Sequence, residues 1–213
     1  KTSAKYPSDA ETCFALGEAY RKAANHQVET LLASASGTPL LHQVYGDIYK
    51  DQHSWLRAEA HYRRASVEDP RWKGAHLGLA EVNLAQDKIA EAEQLFRKAS
   101  RLEPGNYRTL SYIGSTCLQQ GRAGEAAVLF TRVLQIQPGN PVAHYNLGLI
   151  DLAKGNAAGA KRHFDAVTAA APGDIPARIG ALESNLILKN HAAARTTARE
   201  LDALLPPESP DRM

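Results

Sequence analysis

Residues 140–172 read NPVAHYNLGLIDLAKGNAAGAKRHFDAVTAAAP, and the pattern of this stretch recurs along most of the chain. Its clearest marker is proline, which returns every 34 residues at Pro70, Pro104, Pro138, Pro172 and Pro206. A constant period of this length is characteristic of repeat proteins, in which each repeat is one supersecondary unit. The chain is therefore predicted to be an array of similar units rather than a domain built around one core.

Small and aromatic residues keep the same period as the prolines. When Pro141 is counted as place one of a 34-residue unit, place eight is small, place twenty is Ala and place twenty-four is aromatic in most units. The three columns are Gly46, Ala80, Gly114, Gly148 and Leu182; Ala58, Ala92, Ala126, Ala160 and Ala194; and Tyr62, Phe96, Phe130, Phe164 and Ala198. Two helices approach closely only where one presents Gly or Ala, and an aromatic ring fills the adjoining space. Each unit is thus predicted to be a helical hairpin.

This pattern resembles the tetratricopeptide repeat family in its bacterial form, and the resemblance extends from about Ser8 to Pro206. It implies an all-α fold, an α-α superhelix or tetratricopeptide repeat (TPR) solenoid of about six helical hairpins. The first and last hairpins depart from the pattern and are expected to be degenerate. The predicted boundaries are an N-terminal segment with the first helix cap at 1–9, repeats at 10–38, 39–72, 73–106, 107–140, 141–174 and 175–206, and a tail at 207–213.

Composition disfavours several classes of function. The chain of 213 residues carries 25 basic and 23 acidic residues, whereas a nucleic-acid binder requires a surplus of Lys and Arg. No apolar run of membrane-spanning length and no signal peptide are present, so we expect no membrane insertion and a soluble protein of the bacterial cytoplasm or periplasm. Because the chain begins at Lys1, we expect a processed product or a piece of a longer protein. Cys13 and Cys117 lie three repeats apart, which predicts buried thiols rather than a disulfide.

Histidine recurs at place four, as His42, His76 and His144, and this column raises the question of a metal site. Equivalent atoms in adjacent repeats should lie about 9 to 10 Å apart, whereas a zinc ion needs its ligand nitrogens about 2 Å away. We therefore predict packing histidines, with no metal and no other cofactor. His61 and His163 share place twenty-three and are predicted to be solvated surface residues.

No arrangement typical of an enzyme is present in the sequence. The carboxylates Asp47, Glu81 and Glu183 stand on the first helices of separate repeats, without a catalytic partner that the sequence identifies. Nothing resembles a nucleophile elbow, a phosphate-binding loop or a metal-binding signature. We therefore predict a non-catalytic protein.

In the family that the sequence resembles, a concave groove is lined by places two, five, six, nine, twelve and thirteen of the first helices. The resemblance implies a protein–protein interaction scaffold whose peptide or protein partner lies in that groove, with apolar side chains as anchors. The predicted binding residues are Tyr112, Ser115, Gln119, Tyr145, Asn146, Leu149, Leu152 and Glu183. The wider set of groove positions includes Arg108, Ser111, Ile179 and Leu186.

An alternative function stays open and is based on the C-terminal end of the array. The last repeat lacks the polar capping helix that usually closes a solenoid, and it is predicted to expose Leu201, Leu204 and Leu205. Either the tail covers this end, or the end docks a second copy or another domain. In the second case the chain is a structural spacer or self-association segment of a larger protein, for example one associated with the cell envelope.

Overall fold

The structure, a computed structural model, describes residues 38–204. Within this range it contains ten helices and no strand. The helices are α1 (Pro39–Asp51), α2 (Trp55–Glu68), α3 (Lys73–Ala85), α4 (Ile89–Leu102), α5 (Tyr107–Gln119), α6 (Ala123–Ile136), α7 (Pro141–Ala153), α8 (Ala157–Ala170), α9 (Ile175–Ile187) and α10 (His191–Leu204). The predicted all-α fold of paired helices is confirmed. The predicted cap in 1–9, nearly all of the repeat at 10–38, Cys13 and the tail at 207–213 lie outside the described residues.

The helices alternate between two lengths. Odd-numbered helices, called first helices below, have 13 residues, and even-numbered second helices have 14. The turn that joins the two helices of a hairpin has a residue of positive φ at place fifteen each time. These residues are His53 (55°), Asp87 (59°), Gly121 (74°), Gly155 (76°) and Lys189 (57°). A left-handed residue at a helix end reverses the chain tightly while the last carbonyls of the helix remain hydrogen-bonded.

The chain forms two compact units, Lys1–Gly78 and Leu79–Met213, whose boundary falls within α3. In the first unit the side chain of Tyr62 is fully buried, and its ring lies against Gly46 in α1 and Gly78 in α3. A Cβ atom at Gly46 would stand only 2.5 Å from a ring carbon of Tyr62. Glycine is required at place eight here because the aromatic ring occupies the space that a side chain would need.

The same packing occurs in the second unit. Phe130 is fully buried against Gly114, where a Cβ atom would lie 2.8 Å from the ring. Phe164 lies against Gly148 of its own repeat and Gly180 of the next repeat, where Cβ atoms would lie 2.8 and 2.6 Å from the ring. The core around Phe164 is completed by Ala160, Val167, Ala177 and Ala181. One ring therefore joins the two helices of its own repeat to the first helix of the following repeat.

The linkers between repeats supply helix caps. The side chains of Asn106, Asn140 and Asp174 each accept a hydrogen bond from the backbone N–H three residues later, at 3.2, 2.9 and 2.8 Å. Such N-cap residues satisfy a backbone donor that the first turn of a helix leaves unpaired. They define where α5, α7 and α9 begin.

Substitution Phe130→Ala is predicted to lower the free energy of unfolding by about 3 to 5 kcal/mol, because it removes a fully buried ring and leaves a cavity. Urea denaturation followed by circular dichroism measures this change. Gln135→Ala, on the exposed side of the same helix, is the control and should change the stability by less than about 0.5 kcal/mol. Equal stability of the two variants would contradict the role assigned to this ring.

Candidate functional site

In the second unit, the first helices α5, α7 and α9 expose large apolar side chains on one face. Contacts join α5 to α7 and α7 to α9. We define the groove face as places two, five, six, nine, twelve and thirteen of these three helices. Its most exposed apolar members are Tyr112 (38%), Val142 (48%), Leu149 (41%), Ile179 (47%), Leu186 (54%) and Ile187 (53%). A continuous set of exposed apolar side chains is suited to contact with another apolar surface.

A pocket of about 390 Å³ opens on this face between α5 and the start of α7. It is lined by Tyr107, Arg108, Ser111, Tyr112, Ser115, Asn140 and Val142. The Arg108 side chain is exposed, and its Nε donates a hydrogen bond of 3.4 Å to the hydroxyl oxygen of Tyr107. That hydrogen bond is the main factor that raises the pKa of Arg108. The pocket thus combines two phenol rings with a permanent positive charge and hydroxyl groups.

The eight predicted binding residues lie on α5, α7 and α9 but differ in exposure. Tyr112, Gln119, Leu149 and Glu183 are exposed, whereas Ser115, Tyr145, Asn146 and Leu152 are half-buried. The Tyr112 ring stacks on the buried ring of Phe96, with centroids 4.7 Å apart and planes at 3°. One face of the Tyr112 ring is therefore held by the core while its edge reaches the pocket.

Three of the half-buried residues have roles within the fold. The Tyr145 ring packs edge-on against Phe164 at a centroid distance of 5.8 Å, and Leu152 packs on the same core cluster. The Asn146 side chain donates a hydrogen bond of 2.8 Å to the carbonyl of Val142. Val142 itself is exposed beside the pocket and is not among the predicted binding residues, although its position at place two belongs to the groove pattern.

A charged cluster joins α4 to the hairpin of α5 and α6. The buried carboxylate of Glu93 accepts hydrogen bonds from Arg97 Nε at 2.7 Å and from Gln120 Nε2 at 2.8 Å, and it also pairs with Arg122. Both arginines pair in addition with Glu125. Each carboxylate therefore has two guanidinium partners, and the network links one repeat to the next.

Cys117 stands beside this network and is fully buried, as predicted. Among the residues that the structure describes, Glu93, Cys117 and Glu125 are the one group that could offer three ligand atoms to a single ion. Burial raises the pKa of Cys117, which keeps the thiol protonated, and the carboxylates are already neutralised by arginine. The cluster therefore fits an ion-pair network better than a metal site, because a ligand thiol must be deprotonated.

The prediction that His61 and His163 are solvated surface residues is wrong. Both are half-buried, and each faces the place-four histidine of its own repeat. The two Nδ1 atoms are 3.2 Å apart in the pair His42 and His61, and 3.0 Å apart in the pair His144 and His163. Burial, and next the neighbouring imidazole, lowers the pKa of His61 and of His163. The hairpin brings place four and place twenty-three of the same repeat together. A comparison of the same place in different repeats does not detect this pairing.

Two of the place-four histidines contact the proline that lies six residues earlier in the chain. His76 Nε2 lies 2.8 Å from the carbonyl oxygen of Pro70, and His144 Nε2 lies 2.9 Å from that of Pro138. Each imidazole thus donates a hydrogen bond to a backbone carbonyl near the end of the preceding repeat. The contact holds the linker between repeats against the next first helix.

Sequence comparison assigns most of the described residues to one family. One model described as "Tetratricopeptide repeat" matches residues 46–107 and 84–141, and a second model with the same description matches residues 118–186. No curated protein matches the chain in sequence.

Solved structures show the same fold at low sequence identity. Pseudomonas aeruginosa pilF is 18% identical, with a TM-score of 0.79 over 96% of this chain and 94% of that chain. YrrB, described as a TPR protein with an unusual peptide-binding site, is 19% identical, with a TM-score of 0.70 over 85% and 93%. MamA is 16% identical, with a TM-score of 0.70 over 78% and 91%. Among the described helices, none has the length and apolar composition that crossing a membrane requires.

The charged cluster predicts that the fold is sensitive to acid. Burial acts to raise the pKa of Glu93, but hydrogen bonds from Arg97, Gln120 and Arg122 outweigh it and lower the pKa below its ordinary value of 4.5. The unfolded chain therefore takes up this proton at a higher pH than the folded chain does. The stability that the carboxylate contributes is complete above the ordinary pKa and is lost as the pH falls through the lowered value.

Glu93→Gln should consequently be less stable than the parent near neutral pH and should lose less stability between about pH 7 and about pH 3. Glu91→Gln, an exposed carboxylate change on the same helix, is the control and should follow the parent. Urea denaturation at several pH values in this range measures how the free energy of unfolding of each variant changes with pH. The same loss in the parent and in Glu93→Gln would show that the network does not control the acid response.

Proposed function

The chain belongs to the tetratricopeptide repeat family, and on that premise we propose that it is a non-catalytic scaffold that binds a peptide or protein partner on the groove face of α5, α7 and α9. The fold is that of a protein–protein interaction scaffold, because stacked helical repeats present extended surfaces to other proteins. The predicted binding residues are kept in this proposal, with the exposed ones, Tyr112, Gln119, Leu149 and Glu183, as the direct contacts.

The main support for this proposal is the set of exposed apolar side chains on the groove face. Tyr112, Val142, Leu149 and Ile179 follow one another across three neighbouring first helices, and the first two line the pocket. Contiguous apolar patches on a protein surface mark interaction sites, and aromatic or aliphatic anchors in a pocket supply most of the binding energy. The peptide-binding site described for YrrB, which has a similar fold, supports a peptide as the kind of partner.

The charges on the groove face specify the partner further. Among its positions on α5, α7 and α9, Arg108 and Glu183 are the two charged residues. They stand two repeats apart, which is about 20 Å across the helices, and seven places apart along the first helix, which is about 10 Å. The separation is then about 23 Å, or about seven residues of extended peptide. The partner segment is therefore proposed to carry an acidic side chain near Arg108, a basic side chain near Glu183, and apolar side chains between them.

A peptide-display selection on the 213-residue chain, followed by titration calorimetry of the enriched peptides, tests the proposal. Leu149→Ala should weaken binding at least about tenfold, because truncation of an apolar anchor costs more than about 1.4 kcal/mol. Leu149 is a better test than Tyr145, since the Tyr145 ring also packs on Phe164. Val128→Ala, a change at a valine 70% exposed on α6, is the control and should bind like the parent.

Failure to enrich any peptide, or equal binding by Leu149→Ala and Val128→Ala, would rule out the groove face as the binding site. Arg108→Glu tests the charge pattern separately. It should turn the preference at that end of the peptide from acidic to basic residues. If Leu149→Ala weakens binding and Arg108→Glu leaves the preference unchanged, the groove remains the site and the charge pattern is wrong.

A pocket in the last repeat favours self-association as a second function. The pocket is about 380 Å³ and is lined by Leu182, Leu186, His191, Ala194, Arg195 and Ala198. Leu201, which the sequence predicted to be exposed at this end, is instead buried against Leu182 and Ala194. Leu204 is 40% exposed, and Leu205 lies outside the described residues. The pocket, rather than the leucine row, is therefore proposed as the place where a second copy docks.

Analytical ultracentrifugation tests this second function, because it measures whether the chain self-associates. If the chain self-associates through the pocket, Leu186→Glu should convert it to a monomer, because the new carboxylate would lose its hydration at the interface. Val128→Glu, which adds the same charge outside the pocket, should leave the sedimentation unchanged. A monomeric parent, or an oligomer that Leu186→Glu does not affect, would exclude this function.

A further inference from the structure

Two pairs of histidines in the described chain share one geometry. In the first unit, His42 on α1 faces His61 on α2, with Nδ1 atoms 3.2 Å apart. In the second unit, His144 on α7 faces His163 on α8, with Nδ1 atoms 3.0 Å apart. Both pairs join place four of a first helix to place twenty-three of its second helix. The arrangement is therefore a property of the hairpin that the chain uses twice.

The contacts of Nε2 in the place-four histidines determine whether their Nδ1 atoms carry a proton. His144 Nε2 lies 2.9 Å from the carbonyl oxygen of Pro138, and His42 Nε2 lies 3.2 Å from Glu68 Oε1. A carbonyl or carboxylate oxygen only accepts hydrogen bonds, so each Nε2 must carry a proton. In the neutral imidazole, Nδ1 then has no proton, so it accepts the hydrogen bond that the Nδ1–H of the second ring donates.

The place-twenty-three histidines are also held in orientation. His163 Nε2 lies 3.9 Å from Asp151 Oδ2. The His61 ring packs on Tyr45 and Tyr49 at centroid distances of 5.1 and 5.4 Å.

These features match those of imidazole ligands in metal sites. A metal-binding histidine usually donates its other N–H to a carboxylate or a backbone carbonyl, as His42 and His144 do. Two nitrogens that each lie about 2.0 to 2.1 Å from one ion stand about 2.9 to 3.4 Å apart, and the two observed separations, 3.2 and 3.0 Å, fall in this range. We propose that each histidine pair is a binding site for one divalent transition-metal ion that prefers imidazole, namely Zn²⁺, Ni²⁺ or Cu²⁺.

Metal binding requires one proton to move from Nδ1 to Nε2 within each histidine pair. When both imidazoles are neutral, no proton is released to the solvent. In the second unit, His163 transfers its proton from Nδ1 to Nε2, on the side of Asp151, while His144 keeps its proton on Nε2. Within the described range no third side chain of ligand type converges on either pair, so water completes the coordination shell. Imidazole sites of this kind bind Cu²⁺, Ni²⁺ and Zn²⁺ in preference to Mg²⁺ or Ca²⁺.

The chain supplies matched controls for these pairs. The repeat at 107–140 has Leu110 and Leu129 at the two places, so a hairpin of this family member accepts leucine at both. The repeat at 73–106 has His76 opposite Leu95, which is a place-four histidine without a histidine partner. The double variant His144→Leu/His163→Leu and the single variant His76→Gln can therefore be compared directly.

The test is a titration of the 213-residue chain, purified without a histidine tag, with Zn²⁺ and separately with Ni²⁺ near neutral pH, followed by calorimetry. The stoichiometry should fall by one ion per chain in His144→Leu/His163→Leu, and by one more when His42→Leu/His61→Leu is added. His76→Gln should bind as many ions as the parent. In addition, Zn²⁺ should raise the Tm of the parent more than that of the fourfold variant, because a ligand stabilises the folded chain that binds it.

Circular dichroism verifies that the variants are folded. If a double variant is not folded, His163→Gln replaces it, since this change leaves the contact of His144 with Pro138 in place and should also remove one ion. Unchanged stoichiometry in the folded variants would overturn the assignment. So would a loss in His76→Gln as large as the loss in a pair variant.

Discussion

In three of the described repeats, the packing of the two helices depends on the burial of one aromatic ring against glycine. Tyr62, Phe130 and Phe164 each lie where a side chain on the facing first helix would collide with the ring, so in these three hairpins the helices approach at a residue without Cβ. Gly180 of the following repeat meets Phe164 in the same way. In the repeat at 141–174, one ring therefore contributes both to the packing within the hairpin and to the packing of the next first helix.

The aromatic core also orients side chains on the groove face. At place six, where Gly180 contacts the preceding ring, the repeat at 107–140 has Tyr112 instead, and its ring stacks flat on Phe96. The stacking fixes the orientation of an exposed phenol and forms one wall of the pocket. Tyr145 is related to Phe164 in a similar way, edge to face. Tyr112 and Tyr145, two of the predicted binding residues, thus also pack on aromatic rings of the core.

Polar pairings occupy the positions where the two helices of a hairpin, or two neighbouring repeats, meet at the edge of the aromatic core. Glu93 accepts hydrogen bonds across a repeat boundary, and the imidazole of His144 lies between the carbonyl of Pro138 and the ring of His163. Half-buried positions favour such pairings, because an unpaired polar group there would lose hydration without compensation. The histidine pairs differ from the ion-pair network in one respect: their two members meet through ring nitrogens rather than through opposite charges.

The sequence by itself determined the fold class and the family, because the columns at places eight, twenty and twenty-four record helix packing that recurs from repeat to repeat. It could not separate exposed Leu149 from Tyr145, which also packs on the core, since both occupy places that the family pattern assigns to the groove. The burial of Leu201, the network around Glu93 and the pairing of His144 with His163 were decided by the tertiary structure alone. The physical reason is that these contacts join residues about 20 or more positions apart, and helix packing brings them together.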